Sequence, residues 1–254
     1  MAKRLGVHSP LLAAARTLLT AKGRRERGRF LFEGPTLLEE AYRSALEITA
    51  VYVTAESYER TRLVRELERH GVPVMLIGER SAVRLSDVQT PTGVVAEARQ
   101  RFERLESLLA RPGPAVVLAK VADPGNAGTV VRSAEAFGAA GVIFGRGGVE
   151  PYHPKVIRSA MGSLFRVPIA VCEPKELQRV AEQAGRPVVG LSSHGGPMSF
   201  QGSAPVLIAG QERRGLGPFA AVCSSYMAIP MRGLAESLNV AVATSIALYE
   251  AREL

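Results

Sequence analysis

Residues 115–138 read Ala-Val-Val-Leu-Ala-Lys-Val-Ala-Asp-Pro-Gly-Asn-Ala-Gly-Thr-Val-Val-Arg-Ser-Ala-Glu-Ala-Phe-Gly, and this segment gives the strongest indication of the fold class. The apolar run Ala115–Val121 is typical of a buried strand, and the segment after it has the apolar spacing of a helix. We expect that helix to begin near Ala127 with Asn126 as its N-cap, because asparagine favours that position. The glycines around Asn126 would let the backbone approach a ligand closely.

Arg132 lies on the expected helix, on the side away from its core. The core-facing positions are Val130, Ala134 and Phe137, so packing does not explain the arginine. Spacing alone leaves two interpretations open, a solvated surface arginine and a side chain that serves a functional site.

The alternation of strand and helix continues to the end of the chain. The apolar strands expected after residue 114 are Ala115–Val121, Gly141–Phe144, Val167–Val171, Val188–Leu191, Val206–Ala209 and Ala228–Met231. This pattern predicts an α/β domain with a mainly parallel sheet covered on both faces. Ligands of such sheets usually bind beyond the carboxyl ends of the strands, so a site is expected there.

A smaller α/β domain is expected over about residues 30–97, where short apolar runs also alternate with helical stretches. A charged stretch then ends at Arg111-Pro-Gly-Pro114, which marks a boundary. We therefore expect an N-terminal domain over residues 1–98, a linker over 99–113 and a second domain over 114–254. A chain of 254 residues with 46% hydrophobic content can bury two such cores.

Positive charge is concentrated at the N-terminus. The net charge is +8, and eight lysines and arginines face a single acidic residue, Glu26, within the first thirty positions. This predicts a basic arm over about residues 1–29 that is either a solvated tail or an RNA contact through Arg24, Arg25 and Arg29. An anionic partner is favoured, nucleic acid over a membrane surface.

The two cysteines, Cys172 and Cys223, lack the paired spacing of a zinc site or a disulfide framework. No apolar run reaches the roughly 18 residues of a membrane span, and the first residues lack the apolar core of a signal peptide. We expect a protein of the reducing cytoplasm, without membrane association and without a metal.

A second polar segment, Gly145-Arg-Gly-Gly148, precedes a short helix that would present Lys155 and Arg158 to a phosphate. It does not match the Gly-x-Gly-x-x-Gly fingerprint, so a nicotinamide cofactor is not favoured. His153 has no acidic or cysteine partner nearby in sequence, and a loop histidine without special chemistry is the favoured interpretation.

Two further segments place polar residues at strand ends. Leu207-Ile-Ala-Gly-Gln-Glu-Arg-Arg-Gly-Leu216 runs from a strand into a turn whose Glu212 would either cap the next helix or serve a site. In Ile229-Pro-Met-Arg-Gly-Leu-Ala-Glu-Ser-Leu-Asn-Val240, a strand is expected to end at Pro230, and a glycine-bearing loop then leads into a mostly apolar helix. Helix capping would use one of Ser237 and Asn239, so the other needs a different partner.

Taken together, these segments resemble the SpoU/TrmH family of RNA ribose 2′-O-methyltransferases, which belong to the SPOUT class. The three family motifs look like Asn126…Arg132, Gly210…Glu212…Gly215 and Ile229-Pro-Met…Ser237-Leu-Asn-Val240, in this order. Residues 25–97 are similar to the family's N-terminal substrate-binding domain, which resembles ribosomal RNA-binding proteins. Their presence favours 23S ribosomal RNA over transfer RNA as substrate.

The resemblance implies a deep trefoil knot in the C-terminal domain and S-adenosylmethionine as the cofactor. Main-chain groups of the second and third motifs would hold it, at Ala209, Gly210, Gln211, Ile229, Met231 and Leu238. The resemblance also implies catalytic roles for Arg132, Asn126, Glu212, Ser237 and Asn239. Members are homodimers through the C-terminal domain, with the first-motif arginine facing RNA.

The expected reaction is methyl transfer to a ribose 2′-hydroxyl of structured RNA. In this family the arginine is commonly described as the base that takes the hydroxyl proton. Because guanidinium groups stay protonated in proteins, we favour a role for Arg132 in positioning a phosphate of the RNA. Alternatives are a transfer-RNA ribose methyltransferase and a non-catalytic ribosome assembly factor with the same fold. A base methyltransferase of this fold would lack the motif formed by Asn126 and Arg132.

Overall fold

A computed structural model describes residues 2–197, 200, 202, 204–211, 215–234 and 236–252, without the side chains of His194 and Pro197. The chain divides into two compact units, the first ending at Gln100 and the second beginning at Arg101. In these described ranges no helix is long and apolar enough to cross a membrane, and no group of three His, Cys, Asp or Glu residues is placed to hold a metal ion.

The first unit is a mixed five-stranded sheet with helices on both faces. Its strands are β1 (Lys3–Arg4), β2 (Arg29–Glu33), β3 (Ile48–Val53), β4 (Val74–Leu76) and β5 (Val94–Arg99), in the spatial order β1-β4-β3-β5-β2. Its helices are α1 (Pro10–Thr17), α2 (Ala21–Arg27), α3 (Pro35–Arg43), α4 (Ala55–Arg60), α5 (Arg62–Arg69) and α6 (Glu79–Leu85). Strand β5 runs antiparallel to both of its neighbours.

One face of this sheet is covered by helices α1 and α6. Buried residues of both helices, among them Leu12, Ala15, Ala82 and Leu85, form one cluster with sheet residues such as Tyr52. Helix α5 contributes nothing to this cluster, although its own Val64 and Leu67 are buried. The N-terminal helix α1 is therefore part of the core.

The expectation of a basic arm over residues 1–29 is corrected by these elements. Arg24 is only 3% exposed, and its Nη1 donates to the carbonyl oxygens of Leu18 and Leu19, each 3.0 Å away. Arg29 pairs with the buried carboxylate of Glu97, with Nη1 2.7 Å from Oε1. Arg25 is exposed. Of the three arginines expected to contact RNA, Arg24 is thus occupied inside the fold, and Arg29 is paired with its side chain still 40% exposed.

The second unit is built on a six-stranded parallel sheet. Its strands are β6 (Ala115–Ala119), β7 (Gly141–Gly145), β8 (Ile169–Cys172), β9 (Val188–Pro197), β10 (Val206–Gly210) and β11 (Ser225–Ala228), in the order β11-β9-β10-β6-β7-β8. Its helices are α7 (Leu105–Leu109), α8 (Pro124–Ala136), α9 (Pro154–Ala160), α10 (Pro174–Gln183) and α11 (Val240–Ala251). The α/β fold with a parallel sheet is confirmed. The trefoil knot stays a prediction.

Two expected boundaries in this unit were wrong. Helix α8 begins at Pro124, and its N-cap is Asp123, whose Oδ1 accepts from the Asn126 main-chain nitrogen at 2.8 Å. The last strand ends at Ala228, three residues before the expected Met231. It is an edge strand with exposed Ser225 and Tyr226, so it lacks the continuous apolar run of a buried parallel strand.

The expected linker over residues 99–113 is divided between the two units: Arg99 and Gln100 belong to the first, and the chain from Arg101 onwards belongs to the packed second unit. Leu105, Leu108 and Leu109 of helix α7 are buried in its main core cluster. The buried Arg186 guanidinium fastens the chain just after α7, because it donates to the carbonyl oxygens of Leu109, Arg111 and Gly113. The same group also donates to Ala204 and Pro205 before β10.

Candidate active site

The centre of the site is the carboxyl end of strand β10. Just after it, Gln211 and Gly215 exchange two main-chain hydrogen bonds of 3.0 and 2.8 Å. Gly215 has φ +58°, a conformation that favours glycine, so the sequence lets the chain turn sharply here. Glu212 lies between them and outside the described residues.

Gly210 allows the chain to return this closely. A Cβ atom at this position would lie 2.5 Å from the carbonyl carbon of Gly215 and 2.8 Å from Cδ2 of Leu216. No real Cβ approaches backbone atoms so closely, so the pocket wall requires glycine at residue 210.

A cavity of about 340 Å³ opens beside this turn. Its lining includes all six residues expected to hold the cofactor, which are Ala209, Gly210, Gln211, Ile229, Met231 and Leu238. The second and third motifs, separate in sequence, thus form one cavity at the carboxyl edge of the sheet. Ser237, expected to be catalytic, also lines it and is exposed.

Several lining residues were not predicted from the sequence. Leu191, Ser192 and Ser193 of strand β9 and Thr244 of helix α11 also border the cavity. The two serines come directly after the apolar run that begins β9, and polar residues at this point of a parallel strand were the available signal. Thr244 is fully buried and donates to the Val240 carbonyl oxygen at 2.6 Å, which left no polar signal at the surface.

Asn239 joins the mouth of the cavity to helix α8. Its Oδ1 accepts from the main-chain nitrogens of Ala241 and Val242, at 2.9 and 3.3 Å, so it is the N-cap of helix α11. Its Nδ2 donates to Oδ1 of Asn126 at 3.1 Å. Asn239 therefore takes the capping role and also has a partner on helix α8, whereas the other partner expected for Ser237 is not found among the described residues.

Helix α8 is held in place from both sides. Gly128 lies so close to helix α9 that a Cβ atom there would be 2.6 Å from the Val156 carbonyl oxygen. On another side, Ser133 Oγ lies 2.7 Å from Ser245 Oγ of helix α11. The helix that carries Asn126 and Arg132 is therefore fixed relative to the helix behind the cavity.

The start of helix α8 carries a local charge arrangement. The main-chain N–H of Asn126 and the Lys155 ammonium, 3.4 Å away, hold the pKa of Asp123 below its usual range. His153 caps helix α9, since its Nδ1 accepts from the Lys155 nitrogen at 3.2 Å. Lys155 is thus paired, and Arg158 is half-buried on the same helix.

Arg132 is exposed on helix α8, as expected from the sequence. It makes no hydrogen bond or ion pair with any residue that the structure describes. The structure thus brings Asn126 and Asn239 together and places Ser237 on the cavity, while Arg132 is presented to solvent on the helix of Asn126.

Two family models match the chain. The SpoU rRNA Methylase family matches residues 113–249, more than half of the sequence, and the MRM3-like substrate binding domain matches residues 10–96.

Similar proteins match along most of the chain. The 23S rRNA (guanosine(2553)-2'-O)-methyltransferase RlmP of Bacillus subtilis (strain 168) is 32% identical over 241 residues, which cover 92% of this chain and 93% of that protein. The 23S rRNA (uridine(2479)-2'-O)-methyltransferase of Streptomyces viridochromogenes is 36% identical over 174 residues, covering 64% and 61%.

Solved structures share the whole fold. An AdoMet-bound rRNA methyltransferase from Sinorhizobium meliloti superposes with a TM-score of 0.87 and 30% identity, over 99% of this chain and 98% of that one. The SpoU methyltransferase AviRb from Streptomyces viridochromogenes, in complex with AdoMet, also gives 0.87, with 28% identity over 97% and 98%. The resemblance inferred from the motifs is confirmed, and the chain belongs to the SpoU rRNA methylase family.

Proposed function

We propose that this protein transfers a methyl group from S-adenosylmethionine to a ribose 2′-hydroxyl of 23S ribosomal RNA. The observation that carries the proposal is the single cavity into which the second and third motifs converge, beside the hydrogen bond between Asn239 and Asn126. The names of the relatives in Bacillus subtilis and Streptomyces viridochromogenes support the reaction and the RNA class.

The residues of the cavity fit S-adenosylmethionine. Its volume of about 340 Å³ falls in the usual range for small-molecule sites, about 300–1,000 Å³. Leu191, Leu216 and Leu238 offer apolar surface for an adenine ring, and the main chain around Gly210 offers hydrogen-bonding groups. When bound, the cofactor supplies an electrophilic methyl carbon attached to a sulfonium sulfur.

The protein's task is to align the ribose oxygen with that carbon, because transfer is an in-line displacement. Asn126 and Asn239 fix the rim through their mutual hydrogen bond, and the Ser237 hydroxyl at the mouth orients the ribose. We assign Glu212 to shaping the loop after Gln211 on the strength of the family resemblance alone.

Arg132 positions the RNA in this proposal. A guanidinium binds phosphate in a bidentate manner and stays protonated, so it orients the backbone next to the target ribose and does not accept the hydroxyl proton. As the O–C bond forms and the C–S bond breaks, the hydroxyl proton passes to solvent water. Its lack of partners among the described residues leaves its donors available for RNA. Lys155 and Arg158 would add positive charge along helix α9.

We further propose a homodimer through helix α11. Val242 and Tyr249 lie seven residues apart on one face of this helix, and each is 48% exposed. Light scattering should give twice the monomer mass for the wild type and the monomer mass for Val242→Glu; a monomeric wild type would contradict the proposal.

Because the proposed substrate is ribosomal RNA, we expect the protein in the cytoplasm.

Two measurements test the proposed reaction. Calorimetry should show S-adenosylmethionine binding to the folded protein, and labelled methyl groups should pass to an unmodified 23S rRNA transcript. A methylated 2′-oxygen blocks alkaline cleavage, so hydrolysis should release the label in dinucleotides. Label in mononucleotides would show base methylation, and no cofactor binding would favour an RNA-binding assembly factor.

A further inference from the structure

We propose that a pocket between helices α1 and α6 of the first unit binds one nucleotide of the RNA substrate, with its phosphate held by Arg16 and Arg84. The pocket has a volume of about 240 Å³ and lies wholly within this unit. The RNA class of the ligand rests on the proposed function, whereas the existence of the site rests on the geometry that follows.

Two arginines line this pocket. Arg16 of helix α1 and Arg84 of helix α6 are both exposed, and neither makes an ion pair or hydrogen bond with the described part of the chain. Some other surface arginines of the unit do pair, as Arg99 does with Glu47 at 2.7 Å, so a free guanidinium is not the rule there. None of the residues found to line the pocket is acidic. Two uncompensated guanidinium groups favour a phosphate ligand.

Two hydroxyl groups point to a ligand independently of this charge. Ser81 lines the pocket and is only 3% exposed, yet its side chain has no hydrogen-bond partner among the described residues. Its Oγ is not among the fully enclosed polar atoms that lack a partner, so the hydroxyl keeps access to the pocket. A hydroxyl on a residue buried to this extent normally has a hydrogen-bond partner. Ser9 also lines the pocket, and as the N-cap residue of helix α1 it makes no side-chain capping bond. Both hydroxyls are available to a polar ligand.

The apolar part of the pocket indicates a nucleotide and not an isolated phosphate. Leu12 and Leu85, 3% and 2% exposed, form its floor, and the His8 imidazole lies at its edge. Single-stranded RNA is recognised where unstacked bases pack on planar or apolar side chains while their phosphates are bound nearby. The combination of basic rim and leucine floor suits such a base with its phosphate.

The test compares Arg16→Ala and Arg84→Ala with Arg69→Ala. Arg69 is an exposed arginine of helix α5 without a partner among the described residues, and α5 adds no residue to the cluster beneath the pocket. Binding of an unmodified 23S rRNA transcript is measured over a range of salt. Each pocket variant should raise Kd roughly tenfold and lower the salt slope by about one, while Arg69→Ala changes Kd less than twofold.

A variant that leaves the charge unchanged tests whether the weaker RNA binding arises in this pocket. Ser81→Ala should raise Kd a few-fold with an unchanged salt slope, and 4-thiouridine-containing transcript should crosslink to peptides spanning residues 7–16 or 79–85. The proposed site would be overturned if Arg69→Ala weakened RNA binding as much as Arg16→Ala and Arg84→Ala do. It would also be overturned if both of these pocket variants bound RNA as the wild type does.

This site and the proposed function can fail separately. The pocket variants should keep wild-type S-adenosylmethionine binding and kcat and show a raised KM for RNA. A wild type that binds the transcript through this pocket but transfers no methyl group would overturn the proposed reaction and leave the site intact.

Discussion

Asn239 donates from Nδ2 to Oδ1 of Asn126, 3.1 Å away, while its own Oδ1 caps helix α11. The two residues are 113 positions apart in the sequence. A single side chain thus links the first and third motifs. It also accepts hydrogen bonds from the first main-chain N–H groups of helix α11, behind the cavity. The two roles of Asn239 can be separated by substitution.

Asn126→Ala removes the link and keeps the cap, so we expect little change in stability and roughly tenfold lower methyl transfer. Asn239→Ser keeps a capping oxygen and should lose activity to a similar extent, whereas Asn239→Ala should also cost about 1 kcal/mol of stability. Urea unfolding measures the stability of each variant, and turnover on the 23S rRNA transcript measures its activity.

The double variant Asn126→Ala/Asn239→Ser tests whether the hydrogen bond between the two residues matters. If it does, the double variant should be no less active than either single variant. Additive losses of activity would show that the two residues act independently.

Gly210→Ala should abolish S-adenosylmethionine binding in calorimetry and destabilise the protein by about 1–3 kcal/mol, because a Cβ atom there meets the returning chain at Gly215. Gly196→Ala in strand β9 is the matched control, since its Cβ atom would lie 3.9 Å from the nearest atom, the Tyr226 carbonyl oxygen. Wild-type cofactor affinity in Gly210→Ala would mean that the turn is not part of the binding site.

The sequence was informative where function follows from position along a strand. The six residues expected to hold the cofactor line one cavity because their motifs follow strands β10 and β11, and the carboxyl edge of a parallel sheet brings such loops together. The start of helix α8 was missed although Asp123-Pro124 carries both a capping residue and a proline for the first turn. That signal was stronger than the one at Asn126.

Long-range contacts could not be predicted from the same patterns. Arg24 belongs to a run of positive charge, yet its guanidinium is buried against the end of helix α1, and nothing in the spacing of charges distinguishes it from the exposed Arg25. The pocket of Arg16 and Arg84 depends in the same way on the packing of helix α1 against helix α6, nearly seventy residues away.

Arg186→Met should destabilise the second unit by about 3 kcal/mol or more, since five main-chain carbonyl groups lose a hydrogen bond and only that of Pro205 keeps another described donor, the Ala115 nitrogen. Arg179→Met is the control: this exposed arginine pairs with Glu106 at 2.9 Å, and its loss should cost less than about 1 kcal/mol. Urea denaturation gives both values. Similar losses in the two variants would contradict the clamp role of Arg186.

Tyr152 should titrate abnormally. Its hydroxyl donates to the Arg101 carbonyl oxygen at 2.6 Å and accepts from the Arg101 nitrogen at 2.8 Å, and burial raises its pKa to about 12. Because the folded-state pKa is above the unfolded value of about 10, the stability from this group is present below pH 10 and is lost as the pH rises towards 12.

Absorbance at 295 nm should follow this ionisation, and Tyr152→Phe should remove the component near pH 12 and cost about 1–2 kcal/mol at pH 7. Tyr249, 48% exposed on helix α11, provides the control through Tyr249→Phe. Loss of the late component in Tyr249→Phe instead would refute the assignment to Tyr152.

Arg132→Lys tests whether the exposed arginine of helix α8 acts by donating two hydrogen bonds at once from its planar guanidinium group. Lysine keeps the positive charge but cannot bind phosphate in the same bidentate manner, so we expect at least tenfold lower turnover with unchanged folding and cofactor binding. Single-turnover methyl transfer to the 23S rRNA transcript, measured from pH 6 to 9, gives the rate. A positioning role predicts the same pH profile for Arg132→Lys as for the wild type at a lower plateau. A profile displaced towards lower pH would instead identify residue 132 as the proton acceptor, because a lysine loses its proton more readily than an arginine, and full activity would exclude both roles.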